Sequence, residues 1–99
     1  MIRGTTPTLE FIMPFDTSLL EEAFVTLSQN EEVILDKELE DCKCEARKLS
    51  VRLTQEETLK LNCDCKTEIQ VRARTKEGDA VASQIITVDT KRILKDGVI

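Results

Sequence analysis

Every second residue is apolar through much of residues 8–88, and short polar turns are the only interruptions. Leu9, Phe11, Met13 and Phe15 keep that spacing, as do Leu49, Val51 and Leu53, and Ile69, Val71 and Ala73. Successive side chains of an extended strand point to opposite faces, so a period of two gives each segment one face to bury and one to leave in water. Such strands become stable only by pairing edge to edge and covering their apolar faces. A layered β architecture follows.

Turn residues divide the pattern. Pro7 opens a first strand at 8–13, where its missing N–H costs no ladder bond, and Pro14 ends it. Residues 16–22 place Asp16, Thr17 and Ser18 ahead of Leu19 and Leu20, which suits one helical turn or a loop. A hairpin is expected from 23–29 and 32–39, with Val25 and Leu27 on one arm and Val33 and Leu35 on the other. Asn30-Glu31 is its turn, since Asn tolerates the left-handed backbone of tight hairpins. A second, shorter hairpin joins 41–45 to 48–53 around Ala46-Arg47. Thr54 followed three residues later by Glu57 is the capping-box pattern, in which each side chain satisfies the other's backbone N–H. The helix it starts lasts only about a turn, a length suited to a crossover between two sheets. A third hairpin pairs 67–74 with 80–88, and Gly78 in its turn can take positive φ without steric cost.

These segments predict an all-β, immunoglobulin-like β-sandwich of six or seven short antiparallel strands, with one short helical crossover near residues 54–59; a small barrel is the alternative. The 99 residues make a single domain. With three Phe and no Trp or Tyr, its core must come mainly from Leu, Ile and Val, and the Cys–Trp–Cys signature of antibody domains is absent. Residues 89–99 mix charge with Ile93, Leu94, Val98 and Ile99. Either Ile93 and Leu94 close the protein's own core, the reading favoured for a terminal segment, or the four form an interaction peptide that adds a strand to a neighbour's edge.

Charge excludes some functions. Fourteen basic and 19 acidic side chains give a net charge of −5, whereas nucleic-acid or anionic membrane surfaces call for clustered Lys and Arg. No apolar run is long enough to span a bilayer. The N-terminal residues lack a secretory pattern, which predicts retention in the compartment of synthesis, a reducing one. Histidine is missing, and with it the commonest general base and metal ligand. Ser18, Ser28, Ser50 and Ser83 have no strained nucleophile elbow around them. The three glycines are isolated, and Glu38-Leu39-Glu40-Asp41 reads as a solvated face. These features point to a protein that is not an enzyme and needs no cofactor.

Cys42, Cys44, Cys63 and Cys65 are the one constellation with chemical potential. Two thiol pairs suggest tetrahedral zinc, but Cys-x-Cys on an extended strand sets its sulfurs about 6–7 Å apart, unlike the Cys-x-x-Cys knuckle. A disulfide between the pairs would close a loop of about 20 residues. Four free thiols, at least two of them small buried hydrophobes, is the third reading.

The opening Met1-Ile2-Arg3-Gly4-Thr5-Thr6-Pro7-Thr8, the central Leu53-Thr54-Gln55-Glu56-Glu57-Thr58-Leu59 and Ile69-Gln70-Val71-Arg72 resemble small proteins encoded among the structural genes of tailed bacteriophages and prophages. The overall pattern is also similar to the N-terminal β-sandwich of phage baseplate upper proteins. The resemblance implies a non-enzymatic tail or baseplate module, part of a virion and assembled in the host cytoplasm. Its partners would be other virion subunits or further copies of itself. The shared motifs are structural, so the resemblance assigns no functional residue, and the paired cysteines are outside it. The acidic balance supports a second function, a small phage-encoded inhibitor that occupies the basic groove of a host defence protein.

Overall fold

A computed structural model describes residues 1–99. Eight strands run in chain order: β1 (Thr8–Ile12), β2 (Leu20–Gln29), β3 (Glu32–Glu38), β4 (Cys42–Glu45), β5 (Lys48–Arg52), β6 (Lys66–Thr75), β7 (Ala80–Ala82) and β8 (Ile86–Asp89). One short helix, α1 (Gln55–Leu59), lies between β5 and β6, and single 3-10 turns occupy Thr17–Leu19 and Leu39–Asp41. All strand pairs are antiparallel. They form a three-stranded sheet ordered β1-β5-β4 and a larger sheet ordered β3-β2-β6-β7, with β8 also pairing β6.

The period of two explains the core directly. Val25, Leu27 and Ala23 of β2 stand opposite Val71, Ile69 and Ala73 of β6, and all six are buried. Leu49, Val51 and Leu53, on and just after β5, are buried too, and complete one continuous cluster with Met13, Leu20, Leu35 and Leu61. Intervening residues such as Arg72 and Arg74 face water, so the sheets touch on their apolar sides alone.

The crossover takes the form its capping residues dictate. Thr54 Oγ1 accepts from Glu57 N at 3.1 Å, and Glu57 Oε1 accepts from Thr54 N at 2.9 Å. Arg3 closes the other end, donating from its guanidinium to the carbonyls of Leu61 and Leu59 at 2.7 and 2.9 Å. Helix carbonyls that lack intrahelical partners are thereby satisfied.

Four local expectations are corrected. β2 begins at Leu20, which pairs with Thr75, so residues 20–22 are strand; Glu22 reaches Arg74 across the ladder at 3.3 Å. Asn30 and Glu31 do form the first hairpin turn, both at positive φ. The register of that hairpin then shifts beyond Leu27, where Leu35 is the partner, so that Ser28 pairs with Val33. This bulge at Ile34 turns Val33 away from Leu35's face and leaves it 58% exposed. The arm expected at 80–88 is two strands, because residues 83–85 leave the ladder. Ser83 bridges the break: its N–H donates to Val71 O at 2.8 Å and its Oγ accepts from Val71 N at 3.0 Å.

The tail supplies the fourth correction. Leu94 does not close the core; it is 93% exposed. Ile93 is half-buried, packed beside Leu59 over Gly4, whose φ is +72°, and a Cβ on Gly4 would stand 2.9 Å from Ile93 Cδ1. The lead-in and the tail meet through a parallel bridge between Ile2 and Lys91.

Candidate functional site

Two places could carry function, and the cysteines come first. Cys42 and Cys44 lie on β4, opposite Val51 and Leu49 at the edge of the smaller sheet. Cys63 and Cys65 lie in the loop between α1 and β6, rooted by Asn62, whose Oδ1 accepts from Asp64 N at 2.8 Å. All four are free thiols. No three Cys, Asp or Glu side chains converge as a metal site, so the two pairs are not brought together. The expectation of two buried thiols is also corrected: Cys42 and Cys65 are half-buried, and Cys44 and Cys63 are exposed. Burial, then the neighbouring Cys44 and Asp41, push the Cys42 thiol up to about 11. Its Sγ donates to Glu38 O at 3.3 Å. A thiol held protonated in this way is a poor nucleophile and a poor ligand.

A groove on the opposite flank is the more developed feature. It has a volume of about 360 Å³ and lies between β1 and the β7–β8 break. Phe11 and Met13 line one wall, and Val71, Val81 and Ile86 the other; Glu10 is the one charged group on it. Ile12, which lines it, is 73% exposed.

The groove exists because neither sheet closes there. β1 pairs with β5 alone, so its other side has no strand beside it. Hydrogen bonds alternate along an antiparallel ladder. Pro7 O accepts from Leu53 N at 2.9 Å, and Met13 N donates to Arg47 O at 2.7 Å, so the odd-numbered residues of β1 bond to β5. The peptide groups of Thr8, Glu10 and Ile12 therefore point outward along a free edge. On the facing sheet, the departure of residues 83–85 keeps β7 and β8 from forming one continuous border. Sequence reasoning missed this groove, since its walls are ordinary strand residues and only the pairing order leaves them uncovered.

A polar cluster lies elsewhere, at the start of β2 and the end of β3, where Glu21, Glu22, Glu38 and Glu40 surround Phe24 and Leu39. A hydrogen bond with Glu40, and the charges of Glu40 and Asp41, raise the Glu38 carboxyl above the usual range. No helix of the chain is long and apolar enough to cross a membrane.

Comparison with known proteins bears on the fold. No family model matches the chain, and no curated protein does. Among solved structures it is similar to the immunoglobulin-like domain of mouse leukocyte-associated immunoglobulin-like receptor 1, described as a strand-swapped dimer. The TM-score is 0.51 at 13% identity, covering 95% of this chain and 85% of that one. The architecture is thus an immunoglobulin-like β-sandwich. In the usual order of that fold the sheets run A-B-E-D and C-F-G, the latter extended by C′ in variable-type domains. The sheet β1-β5-β4 corresponds to B-E-D, and β3-β2-β6 with β7 and β8 to C′-C-F-G. The position of strand A, beside β1, is the empty one.

Proposed function

We propose that this chain is a non-enzymatic assembly module that acts by protein–protein contact through a sheet edge, in the tail or baseplate of a phage particle. The observation that carries the contact is the uncovered edge of β1 above an apolar groove. Unpaired strand edges are templates for another chain, and apolar walls beside them add side-chain pockets to the main-chain hydrogen bonds. Glu10 is the one carboxylate lining the groove, and its neighbour is Lys48, 3.8 Å away across the β1–β5 ladder. Eight of the eleven residues lining the groove are hydrophobic, which suits binding better than proton transfer. The phage setting rests on the resemblance of the strand-entry and capping segments to tailed-phage proteins. Mass spectrometry of purified virions tests it: the chain is expected at a stoichiometric level with tail subunits, and its absence from washed particles would refute the reading.

The cluster of Glu21, Glu22, Glu38 and Glu40 supports a second reading, a phage-encoded inhibitor whose acidic face binds a basic groove on a host protein. Such binding is steered by charge and weakens steeply as salt rises. An assembly contact made through β1 weakens less with salt, because main-chain hydrogen bonds and apolar burial carry most of it.

A further inference from the structure

We propose that the tail, residues 91–99, of one copy docks as an extra strand along the free edge of β1 in a second copy, with Leu94 entering the groove. This deepens the assembly reading and rests on it, naming the partner of the same edge.

The acceptor is defined by backbone. Thr8, Glu10 and Ile12 direct their N–H and C=O groups away from β5, along an edge of five residues, about 17 Å. The donor is defined by its exposure. Leu94 and Ile99 are 93% and 89% exposed, and Val98 is exposed as well. The tail is held by backbone bonds of Lys91 to Met1 and Arg3 and by Gln55, which bonds the N–H and C=O of Ile99. Nine residues extend about 30 Å, enough to cover the whole edge.

Charge selects this occupant. Residues 91–99 carry three bases and one acid, whereas residues 1–90 carry eleven bases and eighteen acids. A cationic segment and an anionic body attract between copies. Pairing β1 with β1 of another copy is less favoured, because a centred two-fold antiparallel pair sets Glu10 against Glu10, a like-charge contact that Lys48, 3.8 Å from each carboxylate, offsets only in part. Nor does the tail serve its own groove. Val98 lies beside Thr6, Arg52 and Gln55, at the Thr8 end of β1, while the groove begins at Glu10 and runs past Ile12 to Pro14. Donor and acceptor are different surfaces, so reciprocal exchange closes a pair and serial exchange extends a chain.

Sedimentation velocity on the full chain provides the test, with two variants. Leu94→Asp alters the donor at a side chain already in water. Glu10→Pro removes an outward N–H from the acceptor and leaves the β1–β5 ladder intact. Wild type is expected to grow from its 11.2 kDa monomer to at least twice that mass with rising concentration. Each variant should need about tenfold more protein to associate. Mixing the two variants should restore a one-to-one pair, since one retains a sound tail and the other a sound edge. Dilute melting curves verify that both variants fold. A wild type that stays monomeric to about 1 mM, or association indifferent to both changes, overturns the proposal. Slow hydrogen exchange at Glu10 and Ile12 in a monomer also overturns it, as the tail would then cover its own edge. Monomeric protein that is nonetheless stoichiometric in virions defeats this inference alone; self-association of a protein absent from virions defeats the assembly reading.

Discussion

At Gln29 a polar side chain takes an inward position of β2 that the alternation would give to a leucine. It is buried, and every polar atom it carries is used. Nε2 donates to Asn62 O at 2.8 Å and Thr67 Oγ1 at 3.0 Å, while Oε1 accepts from Asn62 N at 2.8 Å. Thr67 Oγ1 in turn lies 2.6 Å from Thr90 Oγ1, so the network joins β2, the root of the Cys63 loop, β6 and the start of the tail. Gln29→Leu keeps the volume and leaves the Asn62 amide and carbonyl unpaired. It should cost about 2–3 kcal/mol, lowering Tm by roughly 10–20 °C in a thermal melt. The thiols also act as individuals. Cys44 and Cys63 should react first with a thiol reagent at pH 8, and Cys42 last, with its ionisation near 11 and its half-buried site. Equal rates at all four would contradict this arrangement. Neither feature was legible in sequence, because a buried Gln and an exposed one share the same place in an apolar–polar pattern. What distinguishes them is a partner 33 residues away.

Among the elements, α1 shows how much one motif can specify. The Thr54–Glu57 capping box was readable from four residues, because its partners are close in sequence. The second role of Glu57 was not: its Oε2 accepts from Lys37 Nζ at 2.6 Å, pinning the crossover to β3. Burial would push the Glu57 carboxyl up, but Lys37 and the Thr54 amide outweigh it and hold it below its ordinary value of 4.5. The same bond raises Lys37 above its ordinary 10.5. The lowered carboxyl contributes stability in full above about pH 4.5, and that contribution is lost as pH falls through the folded value. The raised ammonium contributes in full below about pH 10.5 and loses it as pH climbs past its own folded value. Glu57→Gln, which still accepts from Thr54, should cost about 1 kcal/mol at pH 7, and the gap to wild type should narrow on acidification. Urea melts at pH 7 and pH 3 check it. The hairpins teach a related lesson. Their turns were readable from Asn30-Glu31, Ala46-Arg47 and Gly78, whereas the bulge at Ile34 and the break at 83–85 were not, since a period of two carries no mark where one residue drops out of register.

For the whole molecule, the strand faces determined two stacked sheets, and the pairing order determined where they fail to close. The first was legible because burial follows alternation within each segment. The second was not, because it depends on which edge lacks a neighbour. The lead-in supplies a last consequence. Met1 donates its ammonium to Asp89 O at 2.9 Å, and Met1 O accepts from Lys91 N at 2.7 Å. The backbone thus returns to its own starting point before the tail departs. Residues 92–99 could be spliced back to Met1 as a tether, with new ends cut at Gly78, whose surroundings are open. Such a permutant would keep every core pairing while recalling the tail from any neighbouring subunit, turning a link between molecules into a belt around one.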